Sequence, residues 1–218
     1  MAFAPALRRF TFTTHVTSSV GWVGAVLVFV ALAAIGLTSQ DERTVRGAYL
    51  VMAPAGWFVL VPLAHASLVS GIALSLGTPW GLIRHYWVAL KLVITAFSTV
   101  ILIIYMGTFR QMAGVAADPL VELGLVRNPS PLVHAILALA LLIAATVLAV
   151  YKPFGMTPYG TRQQMRGRLP AQGLGSRPVQ DVPGGTARRW EYLLWFVALA
   201  ILGLVILSHL LGSGAHGH

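Results

Sequence analysis

Apolar residues in this chain gather into long unbroken runs, with neither the three-to-four-residue spacing of a half-buried helix nor the alternation of a strand. Five runs are long enough to cross a hydrocarbon core of about 30 Å, which takes roughly 20 helical residues. They cover Thr17–Leu37, Ala48–Leu76, Tyr86–Met106, Leu132–Tyr151 and Trp190–Leu211. Spans of a β-barrel would alternate in polarity over short segments. These runs are apolar on every side, so the pattern predicts an all-α, polytopic transmembrane helical bundle of about five spans. The second run is longer than a bilayer requires and holds Pro54 and Pro62, so a bent, tilted helix is expected there, or an irregular start before Pro54.

Composition agrees with the pattern. The chain is 57% hydrophobic and 10% charged, against about 25% charged in soluble domains, and its mean hydropathy is +0.78. Cysteine is absent, which excludes disulfides, thiolate metal sites and cysteine nucleophiles. A net charge of +9 would suit nucleic acid, but the basic residues fall between the apolar runs. There they act as topology signals and as contacts to anionic lipid, so no nucleic-acid partner is expected. Abundant alanine, with arginine in excess of lysine, suits a GC-rich bacterial genome.

Orientation follows from the distribution of lysine and arginine. Arg8, Arg9, Arg84, Lys152, Arg162, Arg166, Arg168, Arg177, Arg188 and Arg189 fall on one side, and Arg43, Arg46, Arg110 and Arg127 on the other. A cell-membrane protein with a cytoplasmic amino terminus and an external carboxyl terminus is the expectation. The first run extends to Leu37, longer than a signal-peptide core, and is read as an uncleaved span. The organisation is then a four-span membrane core over 1–151, a basic cytoplasmic loop over 152–189 whose second half is disordered, a fifth helix over 190–212 and a flexible tail over 213–218. In the external loop 107–131, Asp118 followed by Pro119 reads as the cap of a short helix over "PLVELGLV".

Ionisable groups inside the spans are the candidate chemistry. Lysine at the centre of a helix costs about 2.5–3.5 kcal/mol on insertion scales. Lys91 therefore either snorkels to the inner surface or faces other helices. Thr95, Thr99 and Ser98 follow it along one face, and Trp87 precedes it by one turn, which favours a buried seam. His65 lies deep in the second span beside the small-residue pattern Ser67, Gly71, Ser75, which permits close helix approach. His15 and His85 stand at the inner ends of the first and third spans, and His134 and His209 in the outer half. Histidines on facing helices are the layout of transmembrane b-type cytochromes, so His15, His65, His85 and Lys91 are the candidate cofactor-binding residues, with haem b the candidate cofactor. No HExxH, Walker or GxSxG motif points to a hydrolase or ATPase.

The stretch "HVTSSVGWVG" (15–24) resembles a His-x6-Trp-x-Gly signature. It opens the first span in a loose group that includes copper-resistance D-type proteins and the J-type protoporphyrinogen oxidase. "WGLIRHYWVALKL" and "AVYKPFGMTPYG" are similar to stretches of actinobacterial polytopic membrane proteins known only as uncharacterised, and the resemblance covers most of residues 15–160. It implies a helical membrane fold and, from the oxidase, haem chemistry with importance at the positions of His15 and Lys91. Three functions remain open. They are a haem- or porphyrin-binding redox protein, with Lys91 meeting a carboxylate; a small-solute or metal permease lined by the Lys91–Thr95–Thr99 seam; and a non-catalytic accessory or scaffold protein.

Overall fold

Proline at a first helical turn loses no hydrogen bond, because the amide hydrogens there have no partner within the helix. Pro5 starts the first helix in this way, as Pro131 starts a later one. The computed structural model describes residues 3–78, 81–152 and 155–168. Its helices are α1 (Pro5–Thr38), α2 (Glu42–Ala55), α3 (Val61–Leu76), α4 (Tyr86–Ala117), α5 (Leu123–Val126), α6 (Ser130–Tyr151) and α7 (Pro158–Arg168), and a π-turn over Gly56–Leu60 joins α2 to α3. Among the described residues there is no strand, only an isolated bridge between His85 and Met156.

The fold is an all-α bundle. Four helical stretches are long and apolar enough to cross a membrane: Pro5–Thr38, Glu42–Leu76, Tyr86–Ala117 and Leu123–Tyr151. They match the first four apolar runs and fit an integral membrane protein. The predicted fifth span, the second half of the basic loop and the tail lie outside the described residues. Outward-facing side chains are apolar and large, among them Phe10, Val20, Phe58 and Val150, as helices facing lipid rather than water require.

Three helical boundaries differ from the apolar runs. α1 begins twelve residues before Thr17, α2 six before Ala48, and α4 continues eleven beyond Met106. The 34 residues of α1 amount to about 50 Å of helix. Hydropathy marks the length that suits hydrocarbon, whereas helical hydrogen bonding continues past it. The start of the second span is regular: Asp41 caps α2 by accepting from the Thr44 amide at 3.0 Å and from the Thr44 hydroxyl. The irregularity falls between the prolines. Pro62 cannot donate, and the Val61 amide reaches back five residues to the Gly56 carbonyl, which widens the helix locally. The expected helix capped by Asp118 is also different. The Asp118 carboxylate accepts from the Leu120 amide in a tight turn, and helix forms only over Leu123–Val126.

The bundle runs up and down, so α1 and α4 start at the same end as α3 and α6 finish. That end carries most of the described arginine and lysine residues and is called the basic end below. The opposite end holds Asp41, Glu42, Asp118 and Glu122. It is closed by two arginines that cap helices across the bundle. Arg127 donates to the Leu37 and Ser39 carbonyls at the end of α1, at 3.3 and 2.6 Å. Arg46 donates to the Asp118 and Val121 carbonyls beyond α4, at 2.8 and 2.6 Å, and pairs with Glu42. Helix carboxyl ends carry carbonyls without internal partners and partial negative charge, so a guanidinium satisfies both needs.

Between these ends the core is aromatic. Phe29 and Phe109 lie 5.3 Å apart, centroid to centroid, and Tyr105 meets Phe109 edge-on at 4.9 Å. Tyr49 is fully buried; its hydroxyl donates to the Asn128 carbonyl at 3.1 Å and accepts from the Asn128 amide at 2.9 Å. The ring fits because Gly36 leaves room: a Cβ there would lie 2.9 Å from the Tyr49 Cζ.

Gly36→Ala should therefore lower stability in detergent by about 1–3 kcal/mol through overpacking against a ring that has nowhere to move, whereas Gly47→Ala, with open space around it, should not; thermal melts of both variants check this. Asp41 gives a pH signature. Its hydrogen bonds from Thr44 hold the carboxyl below the usual aspartate range, so its contribution is complete above that range and is lost as pH falls through the lowered value. The gap in melting temperature between wild type and Asp41→Ala should be present at pH 6 and shrink on acidification to pH 3.

Candidate functional site: a basic pocket built around His15 and Lys91

The seam that follows Lys91 is interior. Thr95, Ser98 and Thr99 are all buried. The Thr95 and Thr99 hydroxyls nevertheless bond the carbonyls one turn back, Lys91 and Thr95, at 2.8 Å each, so they line the path without tying helices together. Lys91 itself does not run out along the helix. Its Nζ lies 3.0 Å from the Nε2 of His15 on α1.

His15 sits ten residues into α1, about 15 Å along the helix, and is 9% exposed. It was expected at a span entrance. The longer α1 places it inside the bundle. Its Nδ1 lies 3.0 Å from the Ser67 carbonyl oxygen and 3.2 Å from the Ser70 hydroxyl. A carbonyl only accepts, so Nδ1 carries the ring hydrogen, and Nε2 offers its lone pair to the Lys91 ammonium. Two donors could not share the 3.0 Å contact. With Lys91 as an ammonium, which only donates, the contact calls for a neutral imidazole, and both ring nitrogens are engaged.

Small residues on α3 make this possible. Ser67 and Ser70 supply the oxygens. Gly71 lets the ring lie against the helix, since a Cβ there would sit 3.0 Å from the His15 Cε1. The Ser19 and Ser67 hydroxyls meet at 2.7 Å and close the same α1–α3 contact. The pattern Ser67, Gly71, Ser75 thus does what small residues do in membrane bundles, bringing two backbones close.

A cavity of about 590 Å³ opens beside the pair at the basic end, a size suited to a small organic ligand. α1 contributes Arg8, Arg9, Phe12 and His15, α3 contributes Ser67, Gly71 and Ser75, and α4 contributes Trp87, Lys91 and Thr95. Lys152 follows α6 and also lines it. Its backbone is left-handed, at φ 44° and ψ 50°, and it ends the helix with its amide bonded to Leu148. No carboxylate lines the cavity among the described residues.

The structure brings together two of the four candidate residues. His65 lies on the exposed face of α3, its Nδ1 donating to the Val61 carbonyl at 2.8 Å. His85 immediately precedes α4, with its ring 6.4 Å from that of Trp87, and is not part of the cavity wall. In the opposite half of the bundle, His134 stacks on Tyr105 at 4.3 Å, and Ser130 bonds the Tyr105 hydroxyl at 2.7 Å. No group of three or more metal-ligating side chains converges among the described residues. Sequence reasoning missed Arg8, Arg9 and Lys152 as pocket residues, having read them only as topology signals. The signal available was their position at the same ends of the runs as Lys91.

Fold and site together define a membrane-type helical bundle with a part-buried histidine–lysine pair lining a cationic pocket. No protein-family model matches the chain, and neither the curated proteins nor the solved structures include a match.

Gly71→Ala should push the His15 ring by a few tenths of an ångström and weaken its bond to Lys91, lowering the melting temperature. Gly24→Ala on α1, where a Cβ would meet nothing, should leave it unchanged. Equal melts for both variants would contradict the close α1–α3 contact.

Proposed function

We propose that this integral membrane protein binds an organic anion with an apolar body in the pocket at its basic end. The observation that carries the reading is the convergence of Arg8, Arg9, Lys91 and Lys152 on one cavity with no lining carboxylate among the described residues. Phe12, Leu68, Leu74, Trp87 and Leu92 form its apolar wall. A carboxylate or phosphate would meet cations in surroundings less polarisable than water, where the attraction is several times stronger than in solution.

A porphyrin is one such anion, held by its acid groups. As an axial ligand for haem iron, however, His15 does not fit as built: its Nδ1 is committed to Ser67 and its Nε2 to Lys91, and neither His65 nor His85 lines the pocket. This favours recognition of carboxylates over ligation of a metal between two imidazoles. The resemblance to the oxidase group belongs to the same proposal, since the two positions it singles out, His15 and Lys91, are the two that pair. A permease reading requires a path to the other end of the bundle, past the Phe29–Tyr105–Phe109 ring cluster. Anionic lipid at the basic end fits the polar, arginine-bearing α7, which packs there through the Thr157 hydroxyl and the Ile83 carbonyl at 2.7 Å. By the positive-inside rule that end is the cytoplasmic one.

Detergent-purified protein should bind a porphyrin dicarboxylate, followed by the shift of its Soret band, and should bind its dimethyl ester at least tenfold more weakly. Lys91→Met should weaken binding of the acid by tenfold or more, as expected when one partner of a buried charge pair is removed. Equal binding of acid and ester, or no binding of either, would reject an anion site.

A further inference from the structure

We infer that anion binding in this pocket takes up a proton, and that His15 is the residue that receives it. The inference rests on the pocket's being an anion site, and it follows from the hydrogen bonds of the His15 ring. The His15 ring hydrogen is on Nδ1, fixed by the Ser67 carbonyl at 3.0 Å. The Nε2 lone pair is occupied by the Lys91 ammonium, also at 3.0 Å. While that bond stands, Nε2 cannot hold a proton, because it would then face another donor.

An anion in the pocket competes for the same ammonium. Lys91 lines the cavity as well as contacting His15, and a full negative charge is a stronger acceptor than a neutral imidazole nitrogen. When the ammonium turns toward the anion, the Nε2 lone pair is released next to a negative charge. A proton from water at the pocket mouth, where Arg8, Arg9 and Lys152 are exposed, then binds Nε2. The imidazolium keeps its Nδ1–H bond to Ser67 and becomes a second cation for the ligand. The balance is one anion and one proton taken up together, with no bond broken other than hydrogen bonds. Anion occupancy and protonation are thereby coupled, so each raises the affinity for the other.

The other charged groups around the pair do not compete for this proton. On α1 they are Arg8 and Arg9, on α4 Lys91 itself, and beyond α6 Lys152. α3 presents only hydroxyls and a carbonyl to the ring, its His65 lying on the outer face. None of these groups is a carboxylate, so among the described residues no acid group faces the ring from any of the four elements.

The probe is 2-naphthalenesulfonate, an apolar anion whose own charge does not change between pH 5 and 9. Calorimetric titration of the full chain in mild detergent, in two buffers of different ionisation enthalpy, counts protons directly. The expected result is uptake of about one proton per anion at neutral pH, and affinity that weakens by up to about tenfold for each unit that pH rises. His15→Gln, which lacks the second cation, should bind the sulfonate more weakly than the wild type at neutral pH, with no proton uptake and no pH dependence. Binding by the wild type without proton exchange would overturn the coupling while leaving the anion site standing, as would an unchanged proton count in His15→Gln. Failure of the wild type to bind both the sulfonate and the porphyrin acid would reject the anion site and the coupling together. If His15→Gln does not fold, the wild-type proton count decides alone, a count of zero overturning the inference.

Discussion

An ammonium group cannot remain inside an apolar bundle without an acceptor, and the structure provides one by turning a histidine lone pair toward it. The Lys91–His15 bond sets the rest of the basic end. For Nε2 to accept, Nδ1 must donate, which calls for a carbonyl or hydroxyl on the facing helix. Ser67 and Ser70 meet that need. For the ring to reach them, the facing helix must be thin, and Gly71 makes it so. The price is a positively charged cluster at the mouth of a cavity with no lining carboxylate among the described residues.

The opposite end follows another logic with the same kind of residue. There the guanidinium groups of Arg46 and Arg127 are turned inward to carbonyls at helix ends, while Asp41 caps α2, Glu42 pairs with Arg46 and Asp118 closes a turn. Cations at that end hold helices together. Cations at the basic end surround a space. The aromatic core between them, from Trp22 and Phe29 to Tyr105 and Phe109, separates the two regions and anchors α1, α2 and α4 to one another.

Much of this was legible in the chain. Unbroken apolar runs cannot be covered by so few charges, so four of the five predicted spans appear as helices and the fifth lies outside the described residues. The seam after Lys91 was legible because Thr95, Ser98 and Thr99 repeat at helical spacing. The small-residue stripe on α3 was legible for the same reason. The partner of the lysine was not. Spacing within one helix says which face a residue occupies, but it does not say which helix stands opposite, so spacing alone did not single out His15 from His65 and His85. Helix boundaries were hidden as well. Arg8, Arg9 and Thr11 look like a flank by hydropathy, yet they belong to α1, and their inclusion moves His15 from an entrance to the interior. The prolines of the second span pointed to a bend, and the form it takes, a π-turn across Gly56–Leu60, depends on how the backbone re-pairs around Pro62.

The Lys91–His15 bond requires one particular tautomer of the imidazole ring. Nitrogen-15 NMR of histidine-labelled protein, with the His15 signal assigned by its loss in His15→Gln, reports which ring nitrogen bears the hydrogen. At neutral pH and without ligand, the account predicts hydrogen on Nδ1, with an unprotonated Nε2 whose shift changes when Lys91 is replaced by Met. Hydrogen on Nε2, or a signal indifferent to Lys91, would contradict it.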